Sequence, residues 1–104
     1  MIVLTKENFE EEVLKAEGLV MVDFWGPKCE PCKAMMPSVH ELADRNAEKA
    51  KFCSLDTTNS KRLAISQKVL GLPTILFYRE GKIVGELCKE FSIEDVEAKL
   101  QELI

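Results

Sequence analysis

The chain has 104 residues, of which 46% are hydrophobic and 31% charged, which suits one domain of ordinary size, residues 1–104, around a single core. A net charge of −4 argues against nucleic acid or an anionic membrane surface as partner. No apolar run approaches the ~18 residues of a membrane span and no segment reads as an export signal, so the cytoplasm is the expected compartment and the four cysteines are expected as reduced or reactive thiols.

Residues 2–4 (IVL) form a short β-type run, after which Thr5 is placed as an N-cap. Phe9, Val13 and Leu14 then recur at helical spacing up to Gly18. Residues 19–25 read as a buried strand carrying one acid, Asp23, and the strand stops at Gly26-Pro27. Two cysteines follow at C-x-x-C spacing, Cys29 and Cys32, and from Cys32 to about Asn46 the pattern is helical, with Pro37 expected to kink it. This order puts Cys29 at or just before a helix N-terminus, where free backbone N–H groups and the positive end of the dipole favour a thiolate. Cys32, one turn on, faces inward and is close enough to close a disulfide with Cys29. The pair reads as a reversible dithiol–disulfide site.

Residues 51–56 (KFCSLD) read as strand and 60–68 as a short helix ended near Gly71. Residues 74–79 and 82–88 flank Glu80-Gly81 as an antiparallel hairpin. Ser92 caps a last helix with Asp95 three positions on. The order β-α-β-α-β-α-β-β-α makes an α/β domain with a mixed central sheet flanked by helices.

The motifs VDFW, W-x-x-x-C-x-P-C-K and G-L-P-T at residues 71–74 together resemble the thioredoxin family over essentially the whole chain. The segments GPKCEPCK, KFCSLDTT and VLGLPT resemble, more narrowly, clostridial-type thioredoxins that supply electrons to glycine reductase-type complexes. The resemblance implies a thioredoxin fold and a protein-disulfide reductase needing no bound cofactor or metal. Cys29 would be the attacking thiol, Cys32 the resolving one, and Asp23 the buried acid that takes a proton during resolution. Pro73 would be a cis-proline, with the Leu72 and Thr74 backbone free to pair with an extended target. Trp25, Lys28, Glu30, Pro31, Leu72, Pro73, Thr74 and Lys89 make up the expected target-facing set, although Trp25 serves equally well as core. The implied partners are a flavin-dependent thioredoxin reductase and disulfide-bearing proteins, with glycine reductase components among them, acting on a monomer.

Four positions depart from the family pattern. Glu30-Pro31 replaces the usual Gly-Pro, and Lys28 stands where a second tryptophan is common. Ser54 occupies the place of a lysine near the buried acid, which should leave Asp23 more readily neutral. Cys88-Lys89-Glu90 replaces an apolar, often glycine-containing rim, which points to a narrower set of partners. Cys53 reads as a small buried residue, Cys88 as a strand-end thiol and His40 as a surface residue. The competing readings are a glutaredoxin-like enzyme, a zinc module using Cys29, Cys32 and two of Cys53, Cys88 and His40, and a non-catalytic thioredoxin-fold adaptor. Each lacks a sequence feature it needs: a glutathione signature, a second short-spaced ligand pair, or loss of the cysteines.

Overall fold

The apolar run Leu19–Trp25 forms β2, the middle strand of a five-stranded sheet in a computed structural model that describes residues 1–104. The other strands are β1 (Ile2–Val3), β3 (Lys51–Asp56), β4 (Thr74–Arg79) and β5 (Lys82–Cys88), ordered β1-β3-β2-β4-β5. β1 and β2 both run parallel to β3, while β4 is antiparallel to β2 and to β5. The mixed sheet expected from the element order is therefore present. β2 has a strand on each side and helices over both faces, which is why six of its seven residues are buried and the run is almost wholly apolar.

Alternation along the strands sorts side chains into two cores. Val20, Val22 and Phe24 join Cys53, Leu55, Leu76 and Tyr78 on one face, under Phe9, Val13, Ala64 and Val69. Leu19 and Met21 join Phe52, Ile75 and Phe77 on the other. That second face is covered by Val39, Leu42 and Ala43 of α1 (Glu30–Arg45) and by Val96 and Leu100 of α3 (Ile93–Leu103). A short α2 (Lys61–Ser66) lies on the first face through Ala64.

The helix expected from Thr5 to Gly18 contracts to one π-type turn, Glu10–Leu14, closed by the Lys15 N–H on the Glu10 carbonyl at 2.9 Å. Only Phe9 and Val13 are fully buried there, and a segment held by so little packing does not sustain a long helix. Thr5 caps this segment as expected: its Oγ1 accepts from the Glu7 N–H at 3.2 Å, its carbonyl accepts from the Phe9 N–H at 3.1 Å, and its own N–H donates to Asn8 Oδ1 at 2.7 Å. α1 starts at Glu30, two residues before the expected Cys32, because Cys29 caps it and Pro31 has no N–H to lose in a first turn. Pro37 lies inside α1, exposed, and the helix span continues across it. Asn46 closes the helix, its Nδ2 donating to the Leu42 carbonyl at 2.9 Å.

The hairpin turn has positive φ at both Glu80 (54°) and Gly81 (77°), the type I′ geometry that fits strand twist. A Cβ at Gly81 would also stand 2.8 Å from the Leu14 carbonyl oxygen. Ser92 and Asp95 form the expected capping box on α3, with bonds of 2.9 and 3.2 Å.

Candidate active site

β2 carries the chain out of the sheet at Trp25, and the next four residues turn back to start α1. The Cys29 N–H closes that turn on the Gly26 carbonyl at 3.0 Å. The crossing is close: a Cβ at Gly26 would stand 3.3 Å from Leu72 Cδ1, so a larger residue there would push the Leu72 side chain aside by a few tenths of an ångström. Cys29 has extended backbone angles and is the N-cap of α1, its Sγ accepting from the Cys32 N–H at 3.3 Å. Cys29 and Cys32 are joined as a disulfide with Cα atoms 5.3 Å apart, within the ordinary span of such bonds. The two sulfurs are not equivalent. Cys32 is buried at 3% exposure on the inward side of α1, whereas Cys29 is half-buried and borders open space.

Asp23 shares a sheet face with Leu19 and Met21, which is the side that α1 covers, at the end where α1 begins. It is 4% exposed and takes part in no ion pair. Burial pushes its carboxyl from the ordinary 3.8 up to about 7, because the charged form loses its hydration. Its cross-strand neighbours are Ser54 on β3 and Ile75 on β4, so neither adjacent strand places a cation beside it.

The Leu72–Pro73 peptide bond is cis, as the resemblance implies. Pro73 is buried, and its carbonyl accepts from the Lys89 N–H at 2.7 Å. Thr74 is already part of β4, with Phe24 on one side and Cys88 on the other, and its hydroxyl donates to the Gly71 carbonyl at 2.7 Å. Of the two residues expected to offer free backbone, Leu72 is therefore the one outside the ladder. Trp25 ends β2 half-buried, and its carbonyl accepts from Thr57 Oγ1 at 3.3 Å.

A cavity of about 470 Å3 opens against Cys29, lined by Gly26, Lys28, Thr57, Lys61 and Leu72 among others. A second hollow of about 250 Å3 shares Thr57, Lys61 and Leu72 and continues to Ile65 and Leu70. Glu30 and Pro31 are exposed at the top of α1, with Glu30 paired to Lys33 at 3.3 Å. Lys89 does not line the cavity at the disulfide. With φ at 65°, it lays its side chain across Gly71 instead. Thr57 belongs to the KFCSLDTT segment, which marks no role for it, and no motif marks Lys61; only the path of the chain after β3 brings them to Cys29.

The remaining cysteines stand apart. Cys53 lies in the core on the opposite sheet face from α1, and burial pushes its thiol up to about 11. Cys88 is exposed at the end of β5. A zinc set drawn from Cys29, Cys32 and Cys53 would have to reach across the sheet. His40 is exposed on α1.

The thioredoxin family profile matches residues 1–102. The chain is 49% identical to a thioredoxin of Acetoanaerobium sticklandii over the full length of both. It is 48% identical to a thioredoxin of Peptoclostridium acidaminophilum over 86% of this chain and 82% of that one. A thioredoxin sequence from Tissierella creatinophila is 70% identical over 44 residues, 42% of this chain and all of the relative. No helix is long and apolar enough to cross a membrane. The chain belongs to the thioredoxin family, and its Cys29–Cys32 pair is that of a thiol–disulfide oxidoreductase.

Proposed function

We propose that Cys29 attacks and Cys32 resolves. In the reduced protein the Cys29 thiolate attacks one sulfur of a target disulfide, forming a mixed disulfide and releasing the other target sulfur as a thiolate. Cys32 then gives up its proton and attacks Cys29 Sγ. The second target thiol leaves, the Cys29–Cys32 bond forms, and two electrons have passed to the target. The observation that supports this division is the position of Cys29: N-cap of α1, half-buried, with the Cys32 N–H aimed at its sulfur at 3.3 Å. A thiolate there gains from the helix dipole and a backbone donor.

Asp23 is the acceptor of the Cys32 proton. A carboxyl with a pKa of about 7 is near the best balance for a base working at neutral pH. Trp25, Lys28, Glu30, Pro31, Leu72 and Lys89 form the target-facing set, with the Leu72 backbone pairing an extended target segment and the buried Pro73 and Thr74 holding that loop from beneath.

A flavin-dependent thioredoxin reductase returns the electrons, and a glycine reductase-type complex is among the recipients. Support for the latter is the likeness of GPKCEPCK, KFCSLDTT and VLGLPT to clostridial-type thioredoxins. The protein works in the cytoplasm as a monomer, residues 1–104 acting as one domain. The test is insulin-disulfide reduction with a dithiol as electron source. Wild type should catalyse it and Cys29→Ser should not. Activity retained in Cys29→Ser would remove Cys29 from its role.

A further inference from the structure

The disulfide of this acidic chain opens onto a basic surround. Seven ion pairs are present, and none uses Lys28, Lys61 or Lys89, all of which are exposed. Lys28 and Lys61 line the same cavity as Cys29. The Lys89 ammonium lies 3.7 Å from where a Gly71 Cβ would stand, so it borders the far end of the adjoining hollow that Gly71 and Leu72 line. Of the nearby carboxylates one is paired to a lysine, and Asp56 and Glu90 line neither cavity. Glu30 is held by Lys33 at 3.3 Å, and Asp56 accepts from the Thr58 N–H at 2.9 Å. Glu90 follows Lys89 in the chain. The N-terminus of α1 adds its positive end on the Cys29 side.

Between these cations the floor is apolar, with Leu72 in the middle and Ile65 and Leu70 beyond, the latter 84% exposed. Three unpaired ammonium groups thus flank one path from Cys29 over Leu72 to Gly71, on a chain whose net charge is −4. Such a field attracts an acidic partner to this face and turns basic ones away.

We propose that the favoured target is an extended disulfide-bearing segment with carboxylates flanking its reactive cysteine, lying along this path with its acids beside Lys28, Lys61 and Lys89. The inference deepens the proposed function and rests on Cys29 as the attacking thiol. It also assigns Lys61 as a specificity-determining residue. Because the lysines are exposed, the preference acts through charge steering and is sensitive to salt.

The test uses two synthetic peptides, each closed by one disulfide and identical except that Asp-Asp or Lys-Lys flanks the cysteine. Second-order rates of reduction by the reduced protein are measured at low and high NaCl, each normalised to the rate with dithiothreitol. The acidic peptide should react about tenfold faster at low salt, with the gap narrowing to about twofold or less near 0.5 M. Lys61→Glu combined with Lys89→Glu should abolish or reverse the low-salt preference. Equal normalised rates in wild type, or a preference that salt leaves unchanged, would overturn the inference while leaving the oxidoreductase reading intact. Failure to reduce either peptide would overturn both. The salt series on wild type stands whether or not the double variant folds.

Discussion

Replacing Asp23 by alanine should make the protein more stable at alkaline pH and less stable at acid pH. In the folded chain burial raises the Asp23 pKa from 3.8 to about 7, a difference of about three units at about 1.4 kcal/mol each. Between those two values the folded state holds a proton that the unfolded state has released. Unfolding therefore releases a proton, and stability falls as pH rises, by about 1.4 kcal/mol per unit. Above about 7 both states are ionised and the loss is complete, about 4 kcal/mol in all. Alanine removes this dependence but leaves a small cavity costing about 1 kcal/mol. The variant should accordingly gain about 3 kcal/mol at pH 8, be near parity around pH 4.5, and fall below wild type under more acid conditions. The assay is guanidinium unfolding of both oxidised proteins from about pH 4 to 9, where the bonded cysteines do not titrate. A stability difference that stays flat across that range would refute the burial argument. So would one that shrinks as pH rises.

Other expectations follow from particular contacts. Ser54→Lys, directly opposite Asp23 in the register, should lower the Asp23 pKa by about one unit or more, read from its carboxyl carbon resonance. Iodoacetamide at neutral pH should label Cys29 first in the reduced protein and Cys53 last, since Cys53 is fully buried with its thiol pushed up to about 11; peptide mapping gives the order, and faster labelling of Cys53 or Cys88 would count against the assignment. Lys28→Trp, Glu30→Gly and Lys89→Gly together should broaden reductase use, measured as kcat/KM with a cognate and a foreign reductase. Wild type using both equally well would mean these positions do not set specificity.

The parts of this molecule that were legible in the sequence are those with local signals. The apolar run of β2, the Glu80-Gly81 turn and the Ser92–Asp95 capping box each carry their own chemistry within a few residues, and each is present where expected. C-x-x-C after a strand located the two cysteines. α1 begins two residues before the helical pattern becomes visible at Cys32, because its first turn is Glu30-Pro31, whose proline has no N–H to lose there. The spacing of Phe9, Val13 and Leu14 shows a helical face without showing how little of it is anchored, and the segment forms only a short helical turn.

The surroundings of the disulfide were less legible, because they depend on which loops meet. Thr57 and Lys61 reach Cys29 only through the turn after β3. Lys89 was expected at the target-facing rim, but its lie across Gly71 depends on a left-handed backbone and a bond to the Pro73 carbonyl. Absence of a cation beside Asp23 was anticipated from Ser54, and the strand register gives that substitution its physical meaning.

The proposed roles of the two cysteines, three residues apart, are unequal, and trapping tests that directly. Reduced Cys32→Ser mixed with a disulfide-bearing protein should accumulate a covalent complex, and mass spectrometry should find the target sulfur on Cys29 alone, released by dithiothreitol. A complex formed through Cys88 or Cys53, or turnover by the Cys32→Ser protein at the wild-type rate with no complex trapped, would contradict it.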